Sequence, residues 1–115
     1  MNIQIIGTKK CSDTKKAIRF FLERNIKYYL VDLTERDLSP GEWDNIFRAF
    51  AAEDLIDDQS AVYKKKGYAY MTYDPRVELI ENPDLLRTPL VRWDREFTLG
   101  FDNKQFAERL KKAQG

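Results

Sequence analysis

Histidine is absent from all 115 residues, and cysteine occurs once, at Cys11. The first absence removes imidazole general bases, Cys–His dyads and histidine metal sites. The second removes any internal disulfide and leaves no usual ligand set for a transition metal, so none is expected. No apolar run approaches the roughly 20 residues that cross a bilayer. The opening MNIQIIGTKK lacks a charged leader followed by an apolar stretch, so it does not read as a secretory signal. These absences lead us to expect a chain of the reducing cytoplasm with no membrane partner. Neither charge sign is in excess: 20 Lys and Arg face 19 Asp and Glu, a net charge of +1. A dedicated nucleic-acid binder usually carries a strong basic surplus, so direct nucleic-acid binding is not expected.

No internal repeat, low-complexity segment or linker-like run divides the chain. The length suits a single domain, 1–115, with one core. Residues 2–6, NIQII, read as a buried strand followed by Gly7. From Asp13 to Glu23 the spacing changes to a helix, with Thr14, Ala17, Ile18, Phe21 and Leu22 on one face and Lys15, Lys16, Arg19 and Glu23 opposite. Asn25 suits its C-cap. Residues 27–33, KYYLVDL, read as a second strand, parallel to the first across a βαβ unit. Ser39-Pro40-Gly41-Glu42 matches a capping box, and Trp43, Ile46, Phe47 and Phe50 continue it as a helix.

The stretch 51–87 reads as short helices with turns at Gly67 and Asp74-Pro75 and a helix near 75–81. Glu53, Asp57 and Asp58 read as a solvated face. Residues 89–93 and 96–99 form two further strands about a turn at Asp94-Arg95. Asp102 or Asn103 then caps a last helix whose Phe106, Ala107 and Leu110 turn inward. The order is β-α-β, a helical middle, then β-β-α. This predicts an α/β fold of thioredoxin-like type with a helical insertion at approximately 39–86.

Cys11 falls at the first strand-to-helix junction, between Lys9, Lys10, Lys15 and Lys16. A helix amino terminus offers unpaired N–H groups and partial positive charge, which favour a thiolate. The lysines would act in the same direction and Asp13 against it, while the Thr14 hydroxyl is placed to donate to the sulfur. The same geometry suits a tetrahedral oxyanion. A lone cysteine also serves as a small buried hydrophobe. The charges around Cys11, and its place ahead of the apolar face, favour the reactive reading. The lysines taken singly read as solvated surface.

Cys11-Ser-Asp-Thr-Lys-Lys-Ala17, after a short strand and glycine, resembles the amino-terminal motif of the arsenate reductase (ArsC)/Spx family. Asn82-Pro-Asp-Leu-Leu-Arg-Thr-Pro-Leu-Val91 is similar to that family's Pro-x-Leu-Leu-(Arg/Lys)-Arg-Pro segment, and Gly100-Phe101 resembles its Gly-Phe after the last strand. The order and spacing agree over essentially the whole chain.

The resemblance implies a thioredoxin-like fold with an inserted helical subdomain. It further implies a cis Pro89 beside the cysteine, and a thiolate at Cys11 that attacks a small oxyanion or thiol substrate. Thr14, Lys15, Arg87 and Thr88 are the substrate- or anion-contacting candidates it points to. No bound cofactor is implied, only glutathione or another thiol as reductant, with glutaredoxin as a partner. There are departures: Thr88 stands where the family has an arginine before the cis proline, and a mid-chain arginine position falls near Gln59. The Spx branch implies instead a regulatory protein that binds an RNA polymerase subunit. Its Cys-x-x-Cys switch is cut to one cysteine here, with Thr14 in the second position.

Overall fold

The computed structural model describes residues 1–114, which fall into two compact units. One joins Met1–Arg36 to the chain from Thr88 onward, and the other is the continuous segment Asp37–Arg87. The first unit holds β1 (Ile3–Gly7), α1 (Ser12–Glu23) and β2 (Tyr29–Asp32). The second holds α2 (Pro40–Ala49), α3 (Ala52–Leu55), α4 (Ala61–Lys66) and α5 (Pro75–Glu81). The chain then returns to the first unit as β3 (Leu90–Trp93), β4 (Glu96–Leu99) and α6 (Asn103–Gln114). Among the described residues no helix is long and apolar enough to cross a membrane.

The four strands form one sheet in the order β2-β1-β3-β4, with β1 and β2 parallel and the other pairs antiparallel. Ile5 opposes Leu30 on one side and Val91 on the other, and Gly7 opposes Asp32 at the carboxyl end. This pairing moves β1 one residue later than the apolar run NIQII. It also shortens β2, because Lys27 and Tyr28 precede the first ladder pair. The turn between β3 and β4 sets Asp94 at φ 57°, a left-handed position that Asp tolerates better than most residues. Its carboxylate accepts from the Asn2 N–H at 2.7 Å, pinning the turn to the start of β1.

Strand alternation sends Ile3, Ile5, Val91 and Trp93 to one face, where they meet Ala17, Phe20 and Phe21 of α1 and Phe106 and Leu110 of α6. Edge-to-face contacts fix the rings: Phe20–Phe106 centroids are 5.4 Å apart and Trp93–Phe106 centroids 5.2 Å. Each ring so covered contributes roughly 1.5–3 kcal/mol of burial.

Two inward faces differ from the spacing-based expectation. Leu22 is 59% exposed, while Phe20, unassigned by the pattern, is buried. The reason is that α1 has a second neighbour: Phe20 packs on Phe101 and Phe106, which turns the buried stripe toward α6. In α6 itself Phe106 and Leu110 are buried and Ala107 is exposed, since an outer helix buries only a narrow i, i+4 stripe. Asn25 lies one residue past the cap Arg24, in the left-handed region at φ 55°. It donates to Leu22 O at 3.1 Å while Ile26 donates to Phe21 O at 3.0 Å, a Schellman closure.

In the second unit the Ser39 capping box is complete: Glu42 N donates to Ser39 Oγ at 3.2 Å and Ser39 N to Glu42 Oε1 at 2.8 Å. α4 ends at Gly67, whose φ of 71° favours glycine, and Asp74 caps α5 through Arg76 N at 3.0 Å. Both turns and the 75–81 helix stand where the sequence reading expects them. Leu55, Leu79 and Leu85 are fully covered. Tyr68 lies buried among Tyr63 and Tyr73, with its hydroxyl donating to Glu78 at 2.7 Å.

Candidate functional site

Strand β1 ends at Gly7, and the turn Thr8–Cys11, closed by Cys11 N to Thr8 O at 3.1 Å, delivers the cysteine to the amino end of α1. Cys11 is the N-cap residue of that helix, with extended backbone (φ −77°, ψ 121°). An N-cap side chain ordinarily accepts from the N–H two or three residues on. The thiol makes no such bond; it donates to the Thr88 carbonyl oxygen at 3.5 Å. The sulfur is half-buried, less open than a fully exposed loop thiol.

Thr14 is the unusual member of the site. Its side chain is wholly buried, yet its Oγ1 has no hydrogen-bond partner. A buried orphan hydroxyl costs on the order of 1–3 kcal/mol, so its retention calls for a use. Ionising the sulfur supplies one. Burial pushes the Cys11 thiol up, but four hydrogen bonds to the thiolate outweigh it and hold the pKa below the ordinary cysteine value. The largest comes from the Thr14 side chain, then the Thr88 side chain, then the backbone N–H groups of Thr14 and Asp13. The resting thiol leaves the Thr14 hydroxyl unpaired; the thiolate gives it an acceptor and completes the helix cap.

The main causes are hydrogen bonds and burial, and the lysines are solvated surface, as the reading of each taken singly expects. Lys9, Lys10, Lys15 and Lys16 are all exposed, and Lys16 pairs with Asp13 at 3.6 Å. Solvent screens charges so placed, whereas the hydroxyl and amide donors act at contact. Lys15 sits on the first turn of α1, with its N–H bonded to Cys11 O at 3.1 Å and its side chain in solvent.

Thr88 and Pro89 are brought to the cysteine across 77 sequence positions. The Thr88–Pro89 peptide is cis, Pro89 is fully buried, and its carbonyl accepts from Gly100 N at 2.8 Å. Gly100 holds φ at 80°, so the Gly-Phe pair after β4 supports this ledge. Arg87 belongs to the second unit. There its N–H donates to Leu55 O at 2.8 Å and its guanidinium to Asp54 O at 3.3 Å. Gln59, near which the resemblance puts a family arginine, is exposed and bonded to Asp58 at 3.2 Å.

Two residues of the site escape sequence reasoning. Gly7 allows α1 to approach: a Cβ there would stand 2.5 Å from Thr14 Oγ1 and 3.0 Å from its Cγ2. Asp32, paired in register with Gly7, is buried at the end of β2. The Thr34 hydroxyl at 2.7 Å and N–H at 2.9 Å hold its carboxyl below the usual range, with Lys9 adding a smaller contribution. The Asp-x-Thr turn was the available signal for Asp32; nothing in a lone glycine announces Gly7.

A mixed four-stranded sheet with a cysteine capping its first helix, facing the residue before a cis proline, defines a thioredoxin-like protein with one thiol. A family model described as the ArsC family matches residues 6–109, and the chain belongs to that family. It is 27% identical over 117 residues to the global transcriptional regulator Spx 2 of Oceanobacillus iheyensis, covering 95% of this chain and 86% of that protein. Among solved structures, the YFFB protein superposes with a TM-score of 0.84 at 15% identity, covering 95% of this chain and 99% of its own. The arsenate reductase from Vibrio cholerae does so with a TM-score of 0.78 at 17% identity, covering 94% and 97%. At these identities the structural likeness concerns the fold.

Proposed function

We propose that this chain is an arsenate reductase-like monothiol oxidoreductase of the cytoplasm in which the Cys11 thiolate is the nucleophile. The observation that carries the reading is the buried, unpartnered Thr14 hydroxyl near the sulfur of Cys11, the N-cap residue of a helix. That arrangement stabilises the anion more than the thiol, which is the requirement for nucleophilic attack at neutral pH. With one cysteine in the chain, the resolving thiol comes from outside. In the first step the thiolate bonds to the substrate's electrophilic atom, either an oxyanion centre that loses an oxygen as water or a disulfide sulfur that releases its partner as thiolate. From the oxyanion adduct, a thiol of the glutathione kind attacks the Cys11 sulfur. The substrate centre departs with the bonding pair and is thereby reduced by two electrons, and a mixed disulfide is left on Cys11. From a disulfide substrate that mixed disulfide forms directly. In both cases a further thiol then attacks it, leaves as a disulfide and returns Cys11 as thiolate. Glutaredoxin is the proposed recycling partner. The Thr88 carbonyl forms the ledge beside the reacting sulfur, and Lys15 is the proposed mobile cation for an oxyanion.

The test is arsenate reduction in the presence of glutathione and glutaredoxin, with a small disulfide as a parallel substrate. Turnover of either that disappears in Cys11→Ser supports the reading. No thiol-dependent turnover with either substrate overturns it.

A second reading rests on Thr88 standing where the resemblance implies an arginine and on the implied mid-chain arginine falling near Gln59, together with the likeness to an Spx regulator. It makes the chain a binding protein for an RNA polymerase subunit. Capture of that subunit by wild type and Cys11→Ser alike, without turnover, favours this alternative.

A further inference from the structure

On the flank of α1, away from the N-cap, Lys16, Arg19, Glu23 and Arg24 line a cleft of about 360 Å³ closed by Phe20, Phe101 and Asn103. That volume is within the range of small-molecule sites. Every lining residue belongs to the first unit. Three of the lining side chains are cations and one is a carboxylate, so the cleft carries a positive excess. Arg24 is fixed in place: its guanidinium carbon lies 3.7 Å from the centre of the Phe20 ring and its Nη1 donates to Phe20 O at 3.1 Å. Arg19 is exposed and makes no hydrogen bond or ion pair among the described residues. Lys16 is shared with Asp13 at 3.6 Å, a solvent-screened contact.

From these features we infer that the cleft binds a small organic dianion. Guanidinium groups pair with carboxylate or phosphate through two parallel N–H donors, and one already held by a ring and a carbonyl loses little freedom on binding. One unpaired and one fixed guanidinium lining the same cleft suit two negative charges, and Glu23 sets the limit by repelling a more highly charged ligand. The cleft is larger than a bare tetrahedral ion fills. The ligand therefore has a carbon skeleton, which rests on Phe101 and whose hydroxyl or ammonium group donates to Glu23 or the Asn103 side-chain oxygen. A phosphate monoester and a dicarboxylate share this chemistry. The inference is independent of Cys11, so it stands or falls separately from the proposed reaction.

An NMR titration of the full chain at constant ionic strength tests it, with phosphoserine, malate and inorganic phosphate as separate probes. We expect saturable shifts confined to residues 16–24 and 101–103 with one of the organic dianions, at a Kd of about 1 mM or tighter. The probe that binds tighter identifies the source. Arg19→Gln weakens that binding about tenfold, a loss of about 1.4 kcal/mol. Glu23→Gln tightens it severalfold, and Lys27→Gln, outside the cleft, leaves it unchanged. Four results would overturn the inference: no saturable shifts, binding indifferent to Arg19→Gln, weaker binding in Glu23→Gln, or inorganic phosphate binding as well as the organic probes.

Discussion

Cys11 Sγ lies 3.5 Å from the carbonyl oxygen of Thr88, the residue that precedes cis Pro89. This contact exists only while the sulfur holds a proton to donate. Ionisation gives it up and exchanges it for donors that surround the sulfur: the hydroxyls of Thr14 and Thr88 and two amides of the first helical turn. The two protonation states are thus two hydrogen-bond arrangements of one site.

The exchange has a signed consequence for stability. The folded-state pKa of Cys11 is depressed, so the thiolate contributes stability that is fully present above the unfolded pKa and is lost as pH falls through the folded pKa. The stability of wild type relative to Cys11→Ser should therefore rise with pH between the folded value and the ordinary thiol value of about 8.5, and be flat below that window. At the acidic end the serine variant should match wild type or exceed it by up to about 1 kcal/mol, because a serine hydroxyl caps a helix that the thiol leaves open. Urea unfolding at a series of pH values reads both. A pH-independent difference would show that no thiolate is stabilised, and a loss of several kcal/mol on substitution would mark Cys11 as packing.

Gly7→Ala should damage the site from beneath. The new Cβ would overlap Thr14 Oγ1 at 2.5 Å, and α1 must yield or the threonine must turn. A destabilisation of about 1–3 kcal/mol is expected, together with slower alkylation of Cys11 at neutral pH. The double variant Gly7→Ala with Thr14→Ala relieves the overlap and should regain stability without regaining reactivity. Recovery of both would separate Thr14 from the chemistry.

In the second unit, burial and then the bond to Glu78 raise the Tyr68 pKa to about 12. A raised pKa means stability that is intact below the unfolded value of about 10 and declines as pH climbs toward the folded one. Tyr68→Phe should cost about 1 kcal/mol near neutrality through the lost hydrogen bond. It should also remove the decline specific to this tyrosine across that alkaline window. Denaturation of both proteins at neutral and strongly alkaline pH measures the two effects, and an unchanged alkaline slope would contradict the assignment.

Much of this arrangement was legible in the chain. The element order, the Ser39 cap, the turns at Gly67 and Asp74 and the place of Cys11 each follow from local rules: apolar period, capping chemistry, turn residues. What was misread depended on a neighbour. Phe20 faces inward because Phe106, 86 positions on, packs against it, and helical period alone cannot see that ring. The lysines around Cys11 are exposed, as their reading as solvated surface expects, and the contact hydrogen bonds that lower the thiol's pKa, which depend on the fold, are not visible as charge in the sequence. Gly7 was silent because its role is the absence of a Cβ opposite Thr14.

The most direct measurement is the rate of Cys11 alkylation against pH, in wild type and in Thr14→Val, which keeps the shape of the side chain and removes its hydroxyl. The account predicts a wild-type midpoint below that of a free cysteine and a midpoint displaced upward in the variant. It also predicts that the variant is no less stable at acidic pH, since an unpaired buried hydroxyl has been replaced by a methyl group. A wild-type midpoint at the free-cysteine value, unmoved by the substitution, would contradict it.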